Sequence, residues 1–411
     1  MWIGFLDRLL DHIVKTGDLH VTMPDNSQHR YGDGTAPRVS ITFHDPSLPL
    51  RMIRNPDLAV GEGYMDGGLT IENDDLRGFL TLAVSNIARQ RRPIWWQRPL
   101  IRLRRSLRYI QQFNPVGKAQ ANVAHHYDLS GKLYDLFLDA DRQYSCAYFR
   151  HPTDTLEQAQ INKKHHIAGK LLIEPDMRVL DIGCGWGGLG LTLARDYGAR
   201  VVGVTLSREQ HAIATDGAEK AGLSGRVDFR LMDYRQVTGK FDRIVSVGMF
   251  EHVGVPHFRE YFNHVNRMLT ADGVALIHTI GRASPPGYTS PWITKYIFPG
   301  GYIPAMSETM AAVEKEDLFA TDVEVWRLHY AETLKHWYDR FMANIDKARA
   351  LYDERFCRMW RYYLVASELT FRLNSQEVFQ FQLAHRQDAV PLTRDYLYPS
   401  DEASDIRHAA E

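Results

Sequence analysis

Five short apolar segments that alternate with helical patterns constrain the fold of this chain more than any other feature. The segments lie between residues 177 and 281 and are rich in β-branched residues: MRVLDIGCG, ARVVGVTLS, RVDFRLMD, FDRIVSVGM and GVALIHTIG. Helical patterns separate them, including LTLARDYG, REQHAIATDGAEKAG and HFREYFNHVNRML. Such alternation is typical of a parallel sheet with helices on both faces. The sequence therefore predicts an α/β fold with a Rossmann-like domain built on a mostly parallel sheet.

The first of these segments runs into a glycine turn, RVLDIGCGWGG, that opens a helix. Gly183, Gly185 and Gly188 satisfy the GxGxxG spacing of dinucleotide sites. Two residues argue against NAD. Asp181 stands where dinucleotide folds usually have an apolar residue, and Thr205 stands where an acid would hold the ribose. S-adenosylmethionine (SAM), a nucleotide ligand without a pyrophosphate, fits this pattern better.

The predicted SAM pocket also uses residues on neighbouring strands. Asp181 can face the cationic amino-acid end of SAM. Asp233 and Tyr234, at the end of the third strand, can hydrogen-bond to and stack on the adenine. A tight turn with a purely structural role is the alternative. The number of glycines at the ligand-binding edge of a parallel sheet argues against it.

Composition divides the chain into three parts. Residues 18–75 are rich in Gly, Pro, Asp and Asn and contain short β-like runs, RVSITFH and LPLRMI. An amphipathic helical pattern precedes them, and another follows from Leu76. We therefore predict a smaller N-terminal α+β domain over residues 1–88, a basic linker over 89–115 and a catalytic domain over 116–411. Aromatic-rich helical stretches continue beyond residue 300.

The composition changes most sharply at the linker, which contains eight arginines and, from residue 89 to residue 112, no acid. The arginines are Arg89, Arg91, Arg92, Arg98, Arg102, Arg104, Arg105 and Arg108, and Trp95 and Trp96 lie among them. Such a segment suits an anionic membrane surface, where tryptophan prefers the interface and each basic residue contributes ~1 kcal/mol. An equal alternative is a solvated linker whose arginines pair with acids of the fold. Nucleic acid is a weaker third possibility, because no recognised module accompanies the run.

The bulk composition narrows the class of protein. The 411 residues carry a net charge of −1, which argues against a nucleic-acid binder. The three cysteines, Cys146, Cys184 and Cys357, form no CxxC pair, so we predict neither a metal site nor disulfides. No apolar run approaches the roughly 20 residues of a membrane span. The N-terminus mixes acids with arginine, unlike a signal peptide, and we expect a cytoplasmic protein.

Eight stretches carry a resemblance that extends over both predicted domains. They are GEGYMDGGLTIE (61–72), AHHYDLSGKLYDLFLD (124–139), QYSCAYF (143–149), VLDIGCGWGG (179–188), VVGVTLSREQ (201–210), FDRIVSVGMFEHVG (241–254), LIHTIG (276–281) and PWITKYIFPGG (291–301). On these residues the chain resembles the bacterial cyclopropane-fatty-acyl-phospholipid synthases. These are SAM-dependent methyltransferases that act on cis double bonds of membrane lipid acyl chains. QYSCAYF, FEHVG and HTIG together are specific, whereas the glycine loop is shared by all SAM methyltransferases.

The resemblance implies a set of ligands for each small molecule. SAM would contact Tyr144, Ser145, Gly183, Gly185, Thr205, Leu206, Gln210, Asp233 and Tyr234, besides Asp181. A bicarbonate ion would lie beside the methyl group, held by Glu251, His278, Tyr330 and the backbone N–H groups of Cys146 and Ile280.

These groups suit the chemistry that the resemblance implies. Methyl transfer to an alkene leaves a carbocation, and ring closure then requires a base in a dry pocket. Bicarbonate has one O–H that can donate to the Glu251 carboxylate, while its other oxygens accept from His278, Tyr330 and amides. His252 is equally well explained as a satisfied histidine at a helix start. Aromatic faces can stabilise the cation, and the candidates are Trp292, Tyr296, Phe298, Trp337 and Tyr338.

The resemblance also implies a phospholipid substrate with cis-unsaturated acyl chains, an N-terminal domain that handles lipid, and a homodimer bound peripherally to the inner face of the membrane. Three alternatives remain. The product could be methyl-branched or a methylene chain without ring closure, the substrate could be a small amine, or the protein could bind lipid without catalysis. The family often has cysteine in a run like CAxxFR, where this chain has Ser367, which argues against a covalent cysteine mechanism.

Overall fold

The structure is a computed structural model that describes residues 2–89, 103, 106–108, 112 and 131–398. Most of the predicted basic linker, including Trp95 and Trp96, therefore lies outside the described residues. Within the described part of the chain, no helix is both long enough and apolar enough to cross a bilayer.

The N-terminal part is a small α+β unit. Its elements are α1 (Trp2–Ile13), β1 (Asp18–Thr22), β2 (Gln28–Gly32), β3 (Arg38–Phe43), α2 (Leu48–Arg54), α3 (Pro56–Met65), β4 (Leu69–Ile71) and α4 (Leu76–Arg89). The sheet order is β2-β1-β3-β4, with β1 and β3 parallel and the other pairs antiparallel. Leu6, Leu9 and Leu10 bury one face of α1 in this unit. The small α+β domain that the composition predicts is present.

One predicted strand is a helix instead. We expected the run LPLRMI to form a β-strand, but it forms most of α2. Pro49 lies in the first turn, where its fixed φ favours a helix and its missing N–H costs nothing. Leu48 and Met52 are buried and lie four residues apart, which is the spacing of one helix face. The run is too short for its period to be read without the proline.

The larger C-terminal part alternates strands and helices. It begins with α5 (Gly131–Tyr134) and α6 (Leu156–Lys170). The central elements are β5 (Arg178–Ile182), α7 (Gly188–Tyr197), β6 (Arg200–Thr205), α8 (Arg208–Lys220), β7 (Val227–Leu231), β8 (Phe241–Val247), α9 (Phe258–Met268) and β9 (Leu269–Arg282). The chain ends in α10 (Pro291–Tyr296), α11 (Met306–Val313), β10 (Phe319–Val325), α12 (His329–Ala343), α13 (Ile345–Leu351), α14 (Glu354–Leu373) and β11 (Gln376–Ala384).

These strands form one seven-stranded sheet in the order β10-β11-β9-β8-β5-β6-β7. The five predicted strands, β5 to β9, pair in parallel, which confirms the predicted fold class. The sequence pattern missed β10 and β11, because β10 is half-exposed and β11 interleaves glutamines with apolar residues. β11 runs antiparallel to both of its neighbours. The strand order reverses between β5 and β8, and such reversals place ligands at the carboxyl ends of the strands.

The N-terminal unit packs against α10 and α14 of the larger part. A Cβ atom added at Gly61 would lie 2.3 Å from Trp292 Nε1, so the GEGYM stretch needs glycine where α3 meets α10. Glu62 accepts from Lys295 Nζ (2.6 Å) beside this contact, and Arg77 Nη1 donates to Glu368 (2.7 Å). The matched stretches at 61–72 and 291–301 are therefore in contact.

Candidate active site

One cavity opens at the carboxyl ends of β5, β6, β7 and β8. Its empty space, including the mouth open to solvent, is about 1380 Å³. All ten residues predicted to contact SAM line it: Tyr144, Ser145, Asp181, Gly183, Gly185, Thr205, Leu206, Gln210, Asp233 and Tyr234. They come from three strand ends, those of β5, β6 and β7, and from the loop before α6, so the fold brings together residues up to 90 positions apart in the sequence.

The glycine turn gives the cavity its floor. Gly183 has φ +81° and Gly185 has φ +54°, in the left-handed region that favours glycine. A Cβ atom on Gly183 would also lie 3.0 Å from the Met249 side chain. The N–H groups of Gly183 and Cys184 both donate to Val204 O at 3.0 Å, which fixes the turn to β6. The backbone can therefore approach a ligand closely at this point.

The environment of Asp181 is suited to binding a cation. Its side chain is buried at the end of β5, and Oδ2 accepts no hydrogen bond from any described residue. Burial raises the pKa of Asp181 to about 7, and the positive charge of Lys163 opposes this rise. An ammonium group placed beside Oδ2 would restore the charged form. The cavity thus fits the cationic end of SAM in the way that the sequence predicts.

The opposite end of the cavity is held by polar contacts between its own residues. The Thr205 hydroxyl donates to Gln210 Oε1 (2.9 Å), which joins the end of β6 to α8. The Asp233 carboxylate accepts from Arg235 Nε (2.9 Å) and Nη2 (2.7 Å). Tyr234 packs edge-on against Tyr261, with ring centroids 5.5 Å apart. These contacts fix the residues predicted to face the adenine before any ligand arrives.

Glu251 lies on a short 3₁₀ turn, Phe250–His252, just after β8. Its Oε1 accepts from the Ile280 N–H (2.6 Å) across the sheet edge. Its Oε2 is buried and accepts no hydrogen bond from a described residue. Burial raises the pKa of Glu251 to about 7. The Ile280 N–H thus faces the Glu251 carboxylate in this structure, whereas the resemblance assigned it to the anion.

His278 lies beside this turn, because β9 pairs with β8 so that His278 faces Val247. The side-chain NH₂ of Gln380 lies 3.1 Å from His278 Nδ1. Since an amide NH₂ only donates, Nδ1 accepts and the ring carries its proton on Nε2. Burial lowers the pKa of His278 to about 3. At neutral pH the ring is therefore an uncharged N–H donor.

Cys146 and Tyr330 are joined through the start of α12. The N–H of Ala147, next to Cys146, donates to Thr333 Oγ1 (3.0 Å) on the same helix as Tyr330. Burial raises the pKa of the Cys146 thiol, so it is a poor nucleophile. Tyr330 packs edge-on against Trp337 (5.8 Å between centroids), and Trp337 stacks on Tyr144 of the SAM cavity (5.1 Å).

The five catalytic candidates do not line the SAM cavity in the described part of the chain. Three of them are neighbours of residues that line it: Cys146 follows Ser145, Glu251 precedes His252, and His278 pairs with Val247. His252 itself lines the cavity, and burial lowers its pKa to about 4. The site therefore has two adjoining halves, one lined by the residues predicted to contact SAM and one around Glu251 and His278.

The structure corrects part of the predicted aromatic set. Trp292 and Tyr296 face the N-terminal unit, where they donate to Met65 Sδ (3.3 Å) and to Glu62 (2.9 Å). Tyr338 also faces it, under the guanidinium of Arg77. An aromatic-rich helix serves a domain contact as readily as a site, and the sequence pattern does not separate the two. Two of the predicted aromatic residues lie beside cavity residues: Trp337 against Tyr144 and Phe298 against His252.

Sequence reasoning missed two polar residues of the site, Lys163 and Gln380. Lys163 lines the SAM cavity from α6, and Gln380 orients His278 from β11. Both are buried. Lys163 follows Leu156 and Ala159 at helical spacing, and Gln380 shares with Val378 one face of a strand that is buried on both faces. A polar side chain within a buried element was the available signal.

Two described residues of the basic linker pack against the larger part of the fold. Arg108 Nη1 lies 3.0 Å from Glu308 Oε1 and donates to Tyr302 OH (3.1 Å). The Val255 N–H donates to Gln112 Oε1 (3.3 Å). At Arg108 these contacts favour the alternative in which an arginine of the linker pairs with an acid of the fold. The other arginines of the run lie outside the described residues, except Arg89 at the end of α4.

Comparison with known families decides the class of the chain. The family model described as mycolic acid cyclopropane synthetase matches residues 116–381. The chain belongs to this family. Residues 5–89 match a second family model, described as a domain of unknown function. The predicted enzyme class, SAM-dependent methyltransferase, is confirmed with the family.

Individual relatives match most of the chain. The cyclopropane-fatty-acyl-phospholipid synthase of Escherichia coli (strain K12) is 37% identical over 372 residues, covering 88% of this chain and 94% of the relative. The tuberculostearic acid methyltransferase of Mycobacterium tuberculosis is 35% identical over 377 residues, covering 86% of each chain. Among solved structures, the mycolic acid cyclopropane synthase CmaA1 complexed with SAH and CTAB is 34% identical with a TM-score of 0.62. It covers 66% of this chain and 99% of that one.

Proposed function

We propose that this protein transfers the methyl carbon of SAM to the cis double bond of an unsaturated phospholipid acyl chain and closes a cyclopropane ring, with bound bicarbonate as the proton acceptor. The E. coli relative, which matches 88% of the chain, supports the reaction and the phospholipid substrate. One observation carries the site: Glu251 has a buried carboxylate oxygen without a partner among the described residues, and its other oxygen binds the Ile280 N–H, two residues along β9 from the buried, neutral His278.

Bicarbonate fits the residues of this half of the site. It would supply an anionic oxygen that can take a proton from the reacting carbon. Glu251 Oε2 can accept the one O–H of the ion, which an ordinary dianion could not offer. His278 Nε2–H and the Tyr330 hydroxyl can donate to the remaining oxygens. Because His278 is uncharged, it holds the ion without giving up a proton to the base.

The surrounding residues keep competing reactions out. Glu251, His278 and Cys146 are all buried, so bulk water, which would quench a carbocation, is excluded. The raised pKa of the Cys146 thiol keeps it protonated and prevents it from attacking SAM or the cation. Trp337, stacked on Tyr144, offers an aromatic face close to the cavity.

A lipid substrate requires access to a membrane. We propose peripheral binding to the inner face, through the basic linker, by a cytoplasmic homodimer. The eight arginines and two tryptophans of residues 89–108 support this assignment by composition alone. The pairing of Arg108 with Glu308 means that this arginine contributes less to membrane binding than the rest.

Methylation without ring closure is the second candidate function. The tuberculostearic acid methyltransferase, 35% identical over 86% of both chains, favours it. Both outcomes pass through the same cation and differ in the step that follows it. They therefore share the SAM half of the site and differ in what the Glu251 half does.

The product of the purified protein separates these functions. The protein is mixed with SAM carrying a labelled methyl group and with vesicles of cis-monounsaturated phospholipid, and the released acyl chains are analysed by gas chromatography, mass spectrometry and NMR. The proposal expects a labelled chain one methylene heavier, with a ring and no double bond. A labelled branched or unsaturated chain selects the second candidate. Label absent from lipid rejects both.

A further inference from the structure

Lys163 is a buried lysine that the reaction described above does not use. It lies on α6, is 1% exposed and lines the SAM cavity. Its Nζ donates to Ser145 Oγ (2.7 Å) and to Gln143 Oε1 (2.8 Å). Both acceptors belong to the loop 143–149, which also contains Tyr144 and Cys146.

The other two lysines near it on α6 behave differently. Lys164 Nζ lies 2.6 Å from an Asp141 carboxylate oxygen, and Lys170 Nζ lies within 2.8 Å of the carboxylates of Asp322 and Glu324. Among the described residues, no carboxylate oxygen lies within 4.0 Å of Lys163 Nζ, and both of its hydrogen-bond acceptors are neutral. The carboxylates of Asp139 and Asp141 act on it only from a greater distance, without a contact. Burying an ammonium without a contacting anion is costly. Such a charge at the wall of a ligand cavity indicates that the ligand supplies the anion.

The contacts of Lys163 also set the polarity of the loop. A serine hydroxyl has one O–H and two lone pairs. Because Ser145 Oγ accepts from Lys163, its O–H is left to donate elsewhere. The Gln143 amide is oriented in the same way: its oxygen faces Lys163 and its NH₂ donates to Asp141 Oδ2 (3.1 Å). Lys163 thus turns this edge of the cavity into a donor surface.

Asp181, which lines the same cavity, provides the complementary charge. The field of Lys163 reaches Asp181 and lowers its pKa against the effect of burial. An amino acid in its zwitterionic form has an ammonium and a carboxylate a few bonds apart. Asp181 matches the ammonium, and Lys163 with Ser145 matches the carboxylate. Burial lowers the pKa of Lys163 to about 8, so its ammonium is still largely protonated at neutral pH.

We propose that Lys163 is a positioning residue that holds the carboxylate of the amino-acid end of SAM, by its charge and by directing the Ser145 hydroxyl as a donor. The inference rests on the proposed use of this cavity for SAM. It concerns binding alone and makes no use of bicarbonate or of the lipid product.

The test compares two ligands that differ only at the amino-acid end. Full-length protein is titrated calorimetrically with S-adenosylhomocysteine and with 5′-methylthioadenosine, which keeps the nucleoside and the sulfur but lacks the amino acid. Lys163→Met should weaken S-adenosylhomocysteine about ten- to hundredfold, as expected for lost charge-assisted hydrogen bonds. It should change the affinity for 5′-methylthioadenosine less than about threefold, because that ligand has no carboxylate. Lys164→Met, one residue away on the same helix, is the matched control and should leave both affinities unchanged.

Two results would overturn the proposal. Lys163→Met could bind S-adenosylhomocysteine as the wild type does, or it could weaken both ligands equally, which would indicate a structural role. Should Lys163→Met fail to fold, Ser145→Ala removes the directed hydroxyl without touching the buried charge. In that variant, unchanged S-adenosylhomocysteine affinity would equally reject the proposal. Failure of the wild type to form cyclopropane lipid while it binds S-adenosylhomocysteine would reject only the proposed function.

Discussion

The SAM half of the site pairs Asp233 and Lys163 with polar partners and leaves one oxygen of Asp181 for a cationic ligand, whereas the half around Glu251 and His278 favours the neutral forms of both groups. In the first half, Asp233 accepts two hydrogen bonds from Arg235, and Lys163 donates to two oxygens. In the second, burial raises the pKa of Glu251 to about 7 and lowers that of His278 to about 3.

This difference indicates that the first half binds SAM and the second half holds the proton acceptor. A zwitterionic, cationic ligand needs charged partners, and its ammonium group beside Asp181 would restore the charged form of that carboxyl, whose pKa burial raises to about 7. A base that must not attack a cation needs the opposite: neutral donors, little water and one acceptor for a bound proton. Changes in the first half should therefore affect SAM affinity, and changes in the second half should affect turnover.

The largest expected effect is on turnover, from Glu251→Gln. Glutamine keeps the shape of the side chain, but its NH₂ donates where the carboxylate accepts. The bicarbonate ion, which is the proposed proton acceptor, would then lose the group that binds its O–H. We expect kcat to fall about 10²–10⁴-fold, the usual contribution of a positioned base, with S-adenosylhomocysteine affinity within about twofold. Cyclopropane formation and calorimetry measure the two quantities.

Glu377→Gln is the matched control for this variant. Glu377 is a half-buried carboxyl on β11 whose pKa is also raised by burial. It should keep wild-type turnover. A Glu251→Gln enzyme with normal kcat, or one that loses SAM binding and turnover together, would contradict the assignment of SAM affinity and turnover to different halves of the site.

Asp181→Asn should produce the next largest effect, in the SAM half. The amide cannot complement an ammonium, so we expect KM for SAM to rise about ten- to hundredfold, the range for a hydrogen bond to a charged group. Turnover at saturating SAM should stay close to wild type. A fall in kcat with KM unchanged would show that Asp181 acts on the chemical step instead.

Gln380→Glu should reduce turnover by about tenfold, since it alters one hydrogen bond behind His278. A carboxylate accepts where the amide NH₂ donates, so the proton of the His278 ring would move to Nδ1. Nε2 would then carry no proton and could not donate to the bound ion. ¹⁵N NMR of the imidazole reports the tautomer directly. Gln382→Leu, two residues along the same strand, removes contacts to Lys170 O and Tyr396 and should lower stability alone. Equal kcat losses in both variants would argue against a role through His278.

The remaining expected effect is on stability and its pH dependence, not on binding or turnover. Because burial raises the pKa of Glu251 from 4.5 to about 7, the folded ligand-free protein holds a proton that the unfolded chain releases. This contribution to stability is complete below about pH 4.5 and is lost as the pH rises through about 7. The free energy of unfolding, relative to Glu251→Gln, should fall by about 1.4 kcal/mol per pH unit between pH 5 and 7. Denaturant titrations at several pH values that show a constant difference would contradict the buried state of Glu251.

The sequence predicts the sheet and the residues of the SAM cavity more completely than it predicts the half of the site around Glu251 and His278. The five parallel strands have strong apolar patterns, and the glycine turn follows one of them directly. The prediction of a strand at LPLRMI was wrong because a run of six residues is too short to show a helical period. The strands β10 and β11 were not predicted because neither has a continuous apolar pattern. Gln380 touches His278 from 102 residues away, through an antiparallel strand that local pattern does not predict.

Whether ring formation depends on bicarbonate is the decisive question for the proposed role of Glu251. Turnover of the wild type is measured in buffers freed of carbon dioxide and then supplemented with bicarbonate at fixed pH, with Glu251→Gln in parallel. We expect a low rate without the ion and a saturable rise with it in the wild type, and little response in the variant. A wild-type rate that is the same with and without bicarbonate would contradict it.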